Sequence, residues 1–406
     1  MKTEDHRTAA TGSEPDSRAE RGRIRRGVRY CLLVFLGVRV ALSIVAVIGT
    51  ALLPSGEPVG PPGWEAFPIE GGWHNVVTAW ERFDALWFLR IADQGYMDGD
   101  GSAVFFPGYP LLIRGVAFLL GGRPLAAGIL VSNMAFAGAL IVLYFLTSAE
   151  WGERVARRSV LYLAIFPTAF FFLAPYSESP FLLFTLLAFW GARRGRWGVA
   201  GVAGAAAAAT RNVGVLLALP LAVEGFQQWR ANRTGPAPLL GALGAGAMVG
   251  LAAGAYLLFW KVKAGEWLAP VTQQANWERE FVLPLESLWL GTREAFRWIG
   301  VYPGGYHLLD WVLVVPALVA AGWVAFRTRA AYAIYTWSSL LVPLSFTFLP
   351  RPFMSLPRFL LVIFPLVWAP AIWAERRRGV HEAVLIAFSL GLGTMTVLFA
   401  TWYFVF

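Results

Sequence analysis

Apolar and polar residues alternate along this chain on the scale of whole helices. Apolar runs occupy 30–53, 105–120, 124–147, 157–174, 180–192, 197–223, 237–260, 305–326, 331–349, 357–374 and 382–406, and short polar turns separate many of them. A helix needs about 20 apolar residues to cross a bilayer. The pattern therefore predicts an all-α integral membrane protein, folded as one helical bundle. Two runs are ambiguous. The 105–120 run is short, carries Arg114, and contains Pro107 and Pro110, so it reads as an interfacial segment. The 197–223 run is either one long helix or two short ones meeting at Thr210, Arg211 and Asn212.

Charge decides between them. Cytoplasmic loops of membrane proteins carry an excess of Lys and Arg. If 197–223 crosses twice, all the short Arg clusters fall on one face. These are Arg154, Arg157 and Arg158; Arg193, Arg194 and Arg196; Arg230 and Arg233; Arg327 and Arg329; and Arg376, Arg377 and Arg378. A single crossing would move every later cluster to the other side. The expectation is about 11 transmembrane helices, with the N-terminus cytoplasmic and the C-terminus outside. Residues 1–27, rich in charge, Ser and Thr, read as a disordered cytoplasmic tail, and 28–406 as one polytopic domain. The outer face then receives a first loop, 54–123, a second, 261–304, and the short junctions at 176–179, 210–212 and 349–358.

The first loop has helical periodicity of its own. In 76–92, Trp80, Phe83, Trp87 and Ile91 fall on one side, with Glu81, Arg82 and the following Asp93 mostly elsewhere. That spacing predicts an aromatic-rich helix lying in the interface, with Glu81 on its solvated side. Residues 105–120 are expected to form a second such helix.

Composition agrees. Apolar residues are 57% of the chain and charged residues 15%, against about a quarter charged in soluble domains; mean hydropathy is +0.56. The net charge of +9 lies mostly in turns between apolar runs, which is a topology signal and not one for nucleic acid. Cys31 is the sole cysteine, so no intrachain disulfide can form, and four well-separated His give no metal-ligand spacing. Abundant Ala, Gly and Arg point to a GC-rich bacterial genome.

The candidate chemistry lies on the outer face. Asp84 sits beside an apolar stripe, where a carboxylate is costly unless used or paired. It reads either as a general base or as the partner of Arg90 or Arg82. Glu178, in Tyr176-Ser177-Glu178-Ser179, is either functional or part of a helix start helped by Pro180. Arg211 interrupts an uncharged run beside Asn212, and its planar fork of donors suits a phosphate, with snorkelling to headgroups as the alternative. Arg351 and Arg358 break the positive-inside pattern, which an anionic ligand or anionic headgroups would explain.

Phe83-Asp84-Ala85-Leu86-Trp87-Phe88-Leu89-Arg90-Ile91-Ala92, Gly95-Tyr96 and Phe105-Phe106-Pro107-Gly108-Tyr109-Pro110-Leu111 resemble the first outer loop of the PIG-V family of mannosyltransferases. Tyr176-Ser177-Glu178-Ser179, Ala209-Thr210-Arg211-Asn212-Val213-Gly214 and Pro357-Arg358-Phe359 are similar to its later motifs. The resemblance implies a GT-C-type bundle, a polyprenyl-phosphate sugar as donor, and Asp84 as the catalytic acidic residue. Mannose is the expected sugar. The lipid phosphate would be met by Arg211, Arg358 and Arg351, with Asn212, Glu178, Tyr176 and Arg90 as further substrate contacts. Trp87 and Tyr96 could stack on sugar faces, although Trp87 also suits interface anchoring. No metal or cofactor is expected. The expected partners are the lipid-linked donor, membrane lipids and an acceptor of unassigned chemistry, in a bacterial plasma membrane with the site outside. A flippase or transporter of lipid-linked sugars is the competing class. It would place polar groups near the midplane of repeated halves, and no repeat is visible.

Overall fold

The computed structural model describes residues 17–67, 72–232, 235–301 and 304–403. Helices dominate, and the described strands are a two-residue antiparallel pair, Glu280–Phe281 with Phe346–Thr347. Among the described residues, five helices are long and apolar enough to cross a membrane: Glu20–Leu52, Pro124–Trp151, Ala237–Ala264, Gly304–Arg327 and Arg378–Ala400. At 1.5 Å per residue, the 28-residue Pro124–Trp151 helix is about 42 Å long.

The remaining apolar runs fold differently from eleven full-length spans. The 157–174 run is a helix to Ala164 followed by a separate 3₁₀ turn, Ala169–Phe172. The 357–374 run breaks into Leu356–Leu360, Phe364–Val367 and Trp368–Arg376, with Pro365 starting the middle piece. Proline removes a backbone donor and clashes with the preceding turn, so such runs break. The first helix also starts earlier than expected. It takes in residues 17–27 of the predicted tail. Residues 1–16 of that tail lie outside the described residues.

The 197–223 run forms a hairpin. Trp197–Thr210 is one helix, Asn212–Leu217 a 3₁₀ turn, and Ala218–Asn232 the return. Gly214 permits the reversal, since a Cβ there would lie 2.4 Å from the Ala207 carbonyl oxygen. The returning helix comes back to the end from which the hairpin started, where Gln228 donates to the Ala192 carbonyl at 2.7 Å. The run is therefore two helices and a turn, not one continuous helix.

The two ends of the bundle differ in chemistry. At one end the Arg-rich turns meet buried and half-buried carboxylates. Arg193 bridges Glu150 at 2.7 Å and Glu224 at 2.9 Å, Arg329 lies 3.9 Å from Glu224, and Tyr332 donates to Glu150 at 2.9 Å. Arg154 and Arg158 approach Glu375 at 3.8 and 4.0 Å. The opposite end holds the first loop and the junctions at 176–179, 210–212 and 351–358.

The first loop is not one continuous helix. Asn75–Thr78 ends before Asp84–Gln94 begins, and Phe83 between them has φ 53°. The break turns Glu81 and Arg82 inward, correcting their expected solvation; both are fully buried. Glu81 accepts the Phe67 N–H at 3.0 Å. Arg82 donates to the Ala400 carbonyl at 3.0 Å and covers the Trp402 ring at 4.8 Å, tying this loop to the last helix. Gly108–Leu119 is a further short helix, within the 105–120 run.

Thiol labelling tests the sidedness expected from the charge pattern. With Cys31→Ala as background, Asp93→Cys at the exposed end of the Asp84–Gln94 helix should react with an impermeant thiol reagent in intact bacteria. Arg154→Cys, exposed at the Arg-rich end, should react only after permeabilisation. The reverse pattern would invert the bundle and put the site inside.

Candidate functional site

Four side chains from four segments converge at the site end. Asp84 opens the Asp84–Gln94 helix, and Glu178 opens Glu178–Arg193. Arg211 sits in the hairpin bend, and Arg358 on the short Leu356–Leu360 helix. Arg358 Nη1 donates to Asp84 Oδ2 at 2.5 Å, and its Nε donates to Glu178 Oε1. Arg211 Nη1 reaches the same Oε1 at 2.6 Å and also donates to Ser177 Oγ at 2.9 Å. Glu178 is fully buried, and its second oxygen has no hydrogen-bond partner among the described residues. Asp84 keeps 25% of its side chain exposed, so it is the carboxylate that incoming molecules can reach.

Aromatic rings wall the cations. The Arg358 guanidinium lies 4.6 Å from the Tyr176 ring centroid and 5.1 Å from that of Phe171. Arg211 lies 5.4 Å from Phe359. Charges this far from water are expensive unless paired, and in membrane proteins they mark functional sites by default.

Backbone conformation fixes the Asp84 helix and the arginine helix. Phe83, φ 53° and ψ −121°, immediately precedes Asp84, and Ser355, φ 67°, caps the helix of Arg358. Such conformations cost about 1–3 kcal/mol for a residue with a side chain and persist only when surroundings enforce them. Phe83 is enforced by its ring, packed 5.2 Å from Trp402 and 5.8 Å from Phe399. Tyr176 enforces it as well, donating from its hydroxyl to the Arg82 carbonyl at 2.9 Å. Thr168 donates to the Pro357 carbonyl at 3.1 Å and holds the arginine helix. Gly108 lets its helix approach the hairpin bend, since a Cβ there would lie 2.8 Å from both the Ala209 carbonyl and Thr210 Oγ1.

The structure sorts the candidates. It brings Asp84, Glu178, Tyr176, Arg211 and Arg358 together. Ser177 precedes its helix as expected, yet makes no side-chain cap; its hydroxyl is taken by Arg211. Asp84 pairs with Arg358 and not with Arg82 or Arg90. Arg90 instead forms a buried ion pair with Asp100 and donates to the Pro62 carbonyl at 3.3 Å, closing the loop beneath the site. Burial alone would raise the Asp100 carboxyl, but hydrogen bonds from Ser102 and Arg90 outweigh it and hold Asp100 below its ordinary range. Arg351 is committed elsewhere, making a two-pronged contact with buried Asp310 at 2.7 and 2.8 Å. Asn212 is exposed and turns its side chain to the Val213 N–H at 2.8 Å. Trp87 stacks on Phe105 at 5.4 Å and takes Arg90 over its ring, and Tyr96 donates to the Phe105 carbonyl at 2.7 Å among Tyr256, Phe259 and Trp260. Both rings are engaged within the protein.

Two residues were missed by sequence reasoning. Asp310 lies inside the 305–326 apolar run, and a carboxylate there is itself a signal. Arg279 stands near the cluster from the second loop, where nothing in its neighbourhood of sequence sets it apart.

A helical membrane protein with a buried ion cluster at one end is the class that fold and site define. Within it, residues 57–225 match the family model described as Mannosyltransferase (PIG-V). The resemblance read from the motifs holds over that segment. It contains Asp84, Tyr176, Glu178 and Arg211; Arg279, Arg351 and Arg358 lie beyond it. No curated protein matches the chain. Among solved structures, ArnT from Cupriavidus metallidurans bound to undecaprenyl phosphate is similar at 14% identity and TM-score 0.47, over 92% of this chain and 76% of that one. The Archaeoglobus fulgidus oligosaccharyltransferase in complex with Zn and sulfate is similar at 12% identity and TM-score 0.42, over 91% of this chain. The chain spans about half the length of that oligosaccharyltransferase, 53%.

The Asp310–Arg351 pair is expected to be structural. Removing one partner of a buried pair costs about 3–5 kcal/mol, so Asp310→Ala should lower the unfolding temperature in detergent sharply. Asp93→Ala, at an exposed position, should change stability by less than about 0.5 kcal/mol. Equal effects would remove the pair from the account of how this loop is held.

Proposed function

We propose that this chain is a membrane glycosyltransferase of GT-C type that moves a sugar, expected to be mannose, from a polyprenyl-phosphate donor to an acceptor hydroxyl. The observation that carries the proposal is the Asp84–Arg358–Glu178–Arg211 cluster at one end of an apolar bundle. The family match over residues 57–225 supports it.

The donor's polyprenyl chain stays in the bilayer and its head enters at the site end, on the outer face. Asp84, the reachable carboxylate, takes the proton of the acceptor hydroxyl. That oxygen forms the new bond to the anomeric carbon as the bond from that carbon to the phosphate oxygen breaks on the opposite side. Configuration inverts, and polyprenyl phosphate departs with the bonding pair. Sugar transfer of this kind passes through an oxocarbenium-like state, which a nearby carboxylate also stabilises. Preorganised cations favour departure of the phosphate, and Arg358 and Arg211 fill that role. The phosphate competes with Asp84 for Arg358, so donor binding loosens the ion pair that restrains the base. Glu178 stays behind as the fixed anchor of both guanidinium groups.

Transfer assays on purified protein test the base and the phosphate ligand separately. Asp84→Asn keeps the shape but not the proton acceptor, and general-base catalysis is worth roughly 10²–10⁴ in rate. The variant should fold, bind donor, and transfer at least about a hundredfold more slowly, while Asp93→Asn on the same helix stays active. Arg211→Lys should keep part of the donor affinity and Arg211→Ala less, because Lys retains charge without the planar fork. An active Asp84→Asn variant would remove the base. Unchanged donor use by both Arg211 variants would leave that residue only the structural role of partner to Glu178.

A further inference from the structure

Three guanidinium groups, not two, stand around the carboxylates. Arg279 reaches the cluster from the second loop, just before the Glu280–Phe281 strand. Its guanidinium lies 6.0 Å from the Phe359 ring centroid, and Arg211 lies 5.4 Å from the same ring. Phe359 adjoins Arg358 in sequence, so one residue pair gathers all three cations.

Arg279 differs from the other two in its partners. Arg358 and Arg211 both meet Glu178, and Arg358 also meets Asp84. Arg279 donates only to neutral oxygens, the Phe346 carbonyl at 3.2 Å and Ser355 Oγ at 3.2 Å. No carboxylate among the described residues forms an ion pair with it. The adjacent Glu278 and Glu280 are both exposed. Burial pushes the Arg279 guanidinium below its ordinary range; the Asp84 charge opposes this and Arg358 adds to it. Local charge is therefore unbalanced, with three arginines against two carboxylates. The excess sits on Arg279, a half-buried cation whose hydrogen bonds are long and neutral. An anion carrying one negative charge would balance the cluster, and a phosphodiester carries one.

The backbone aims Arg279 inward. Glu278 has φ 52° in the left-handed region, the same kind of local strain that precedes Asp84 and the Arg358 helix. The two-residue pairing Glu280↔Thr347 and Phe281↔Phe346 then joins the second loop to the segment that leads into Arg351 and Arg358.

We propose that Arg279 is a donor-binding residue, the one cation of the cluster without a carboxylate partner, which joins Arg358 and Arg211 on the lipid phosphate and is delivered by the second loop. The proposal rests on the glycosyltransferase reading of the site and extends it to a segment beyond the family match.

Binding of undecaprenyl phosphate to the purified full-length protein in lipid nanodiscs tests it, with undecaprenol as the uncharged comparison. Arg279→Gln should weaken undecaprenyl phosphate binding by about tenfold or more and leave undecaprenol binding unchanged; Arg279→Lys should fall between parent and Gln. Glu280→Gln, exposed and on the other side of the strand, should match the parent. In transfer assays the loss should fall on the donor KM more than on kcat. Inorganic phosphate at equal concentration should not displace the lipid; displacement would overturn the lipid assignment. If Arg279→Gln does not assemble, Arg279→Lys decides, since an affinity equal to the parent overturns the proposal. Parent-like binding by the Arg279 variants alongside weakened binding by Arg211→Ala would overturn this inference and leave the site reading standing. A parent that binds the phosphate no better than the alcohol would overturn both.

Discussion

Arg358 is the constraint on which the rest of the site depends. Its guanidinium joins Asp84, from the first loop, to Glu178, at the head of a helix, at sequence separations of 274 and 180. Arg211 shares Glu178 with it. Remove that group and Asp84 loses its ion pair, while Glu178 keeps Arg211 alone. Such a charge arrangement does little for stability, because desolvation offsets much of the attraction. The bundle retains it at the end where the strained backbone positions also collect, which is where function rather than packing sets the residue.

Second-line contacts convert this pairing into geometry. Tyr176 does two things at once, walling Arg358 with its ring and bonding the Arg82 carbonyl with its hydroxyl. Arg82 in turn reaches the end of the last helix. Asp84, Arg358 and the C-terminal helix are thereby one mechanical unit. Glu81, Arg82, Arg90 and Asp310 are buried charged residues that support it without reaching the cluster. Substitutions there should act through stability, and those in the cluster through chemistry.

Much of the site was legible in the sequence. Asp84, Glu178, Arg211 and Arg358 are each ionisable groups next to apolar runs, and the positive-inside pattern placed them on one face. The hairpin at 197–223 was legible for the same reason. Helix lengths were less so. Hydropathy reports burial, not continuity, and the 357–374 run is buried yet broken in three around Pro365. Partners were least legible. The 76–92 periodicity placed Glu81 in solvent because it assumed an unbroken helix, whereas Phe83 in a left-handed conformation resets the phase. Arg351 and Arg358 carried the same signal, and only the fold, by placing Asp310 beside one of them, separates a structural arginine from a site arginine. Arg279 gave no sign, since one arginine in a polar loop is ordinary until its neighbours in space are known.

Donor choice by the unmodified protein tests the central claim most directly. Purified protein in nanodiscs would be given radiolabelled polyprenyl-phosphate mannose, other polyprenyl-phosphate sugars, or GDP-mannose, with a mixed lipid and glycan acceptor extract. The account predicts label in a new product from a polyprenyl-phosphate sugar, with release of polyprenyl phosphate, and none from the nucleotide sugar. Transfer from the nucleotide alone, or movement of the lipid-linked sugar across the bilayer with its phosphate bond intact, would contradict it.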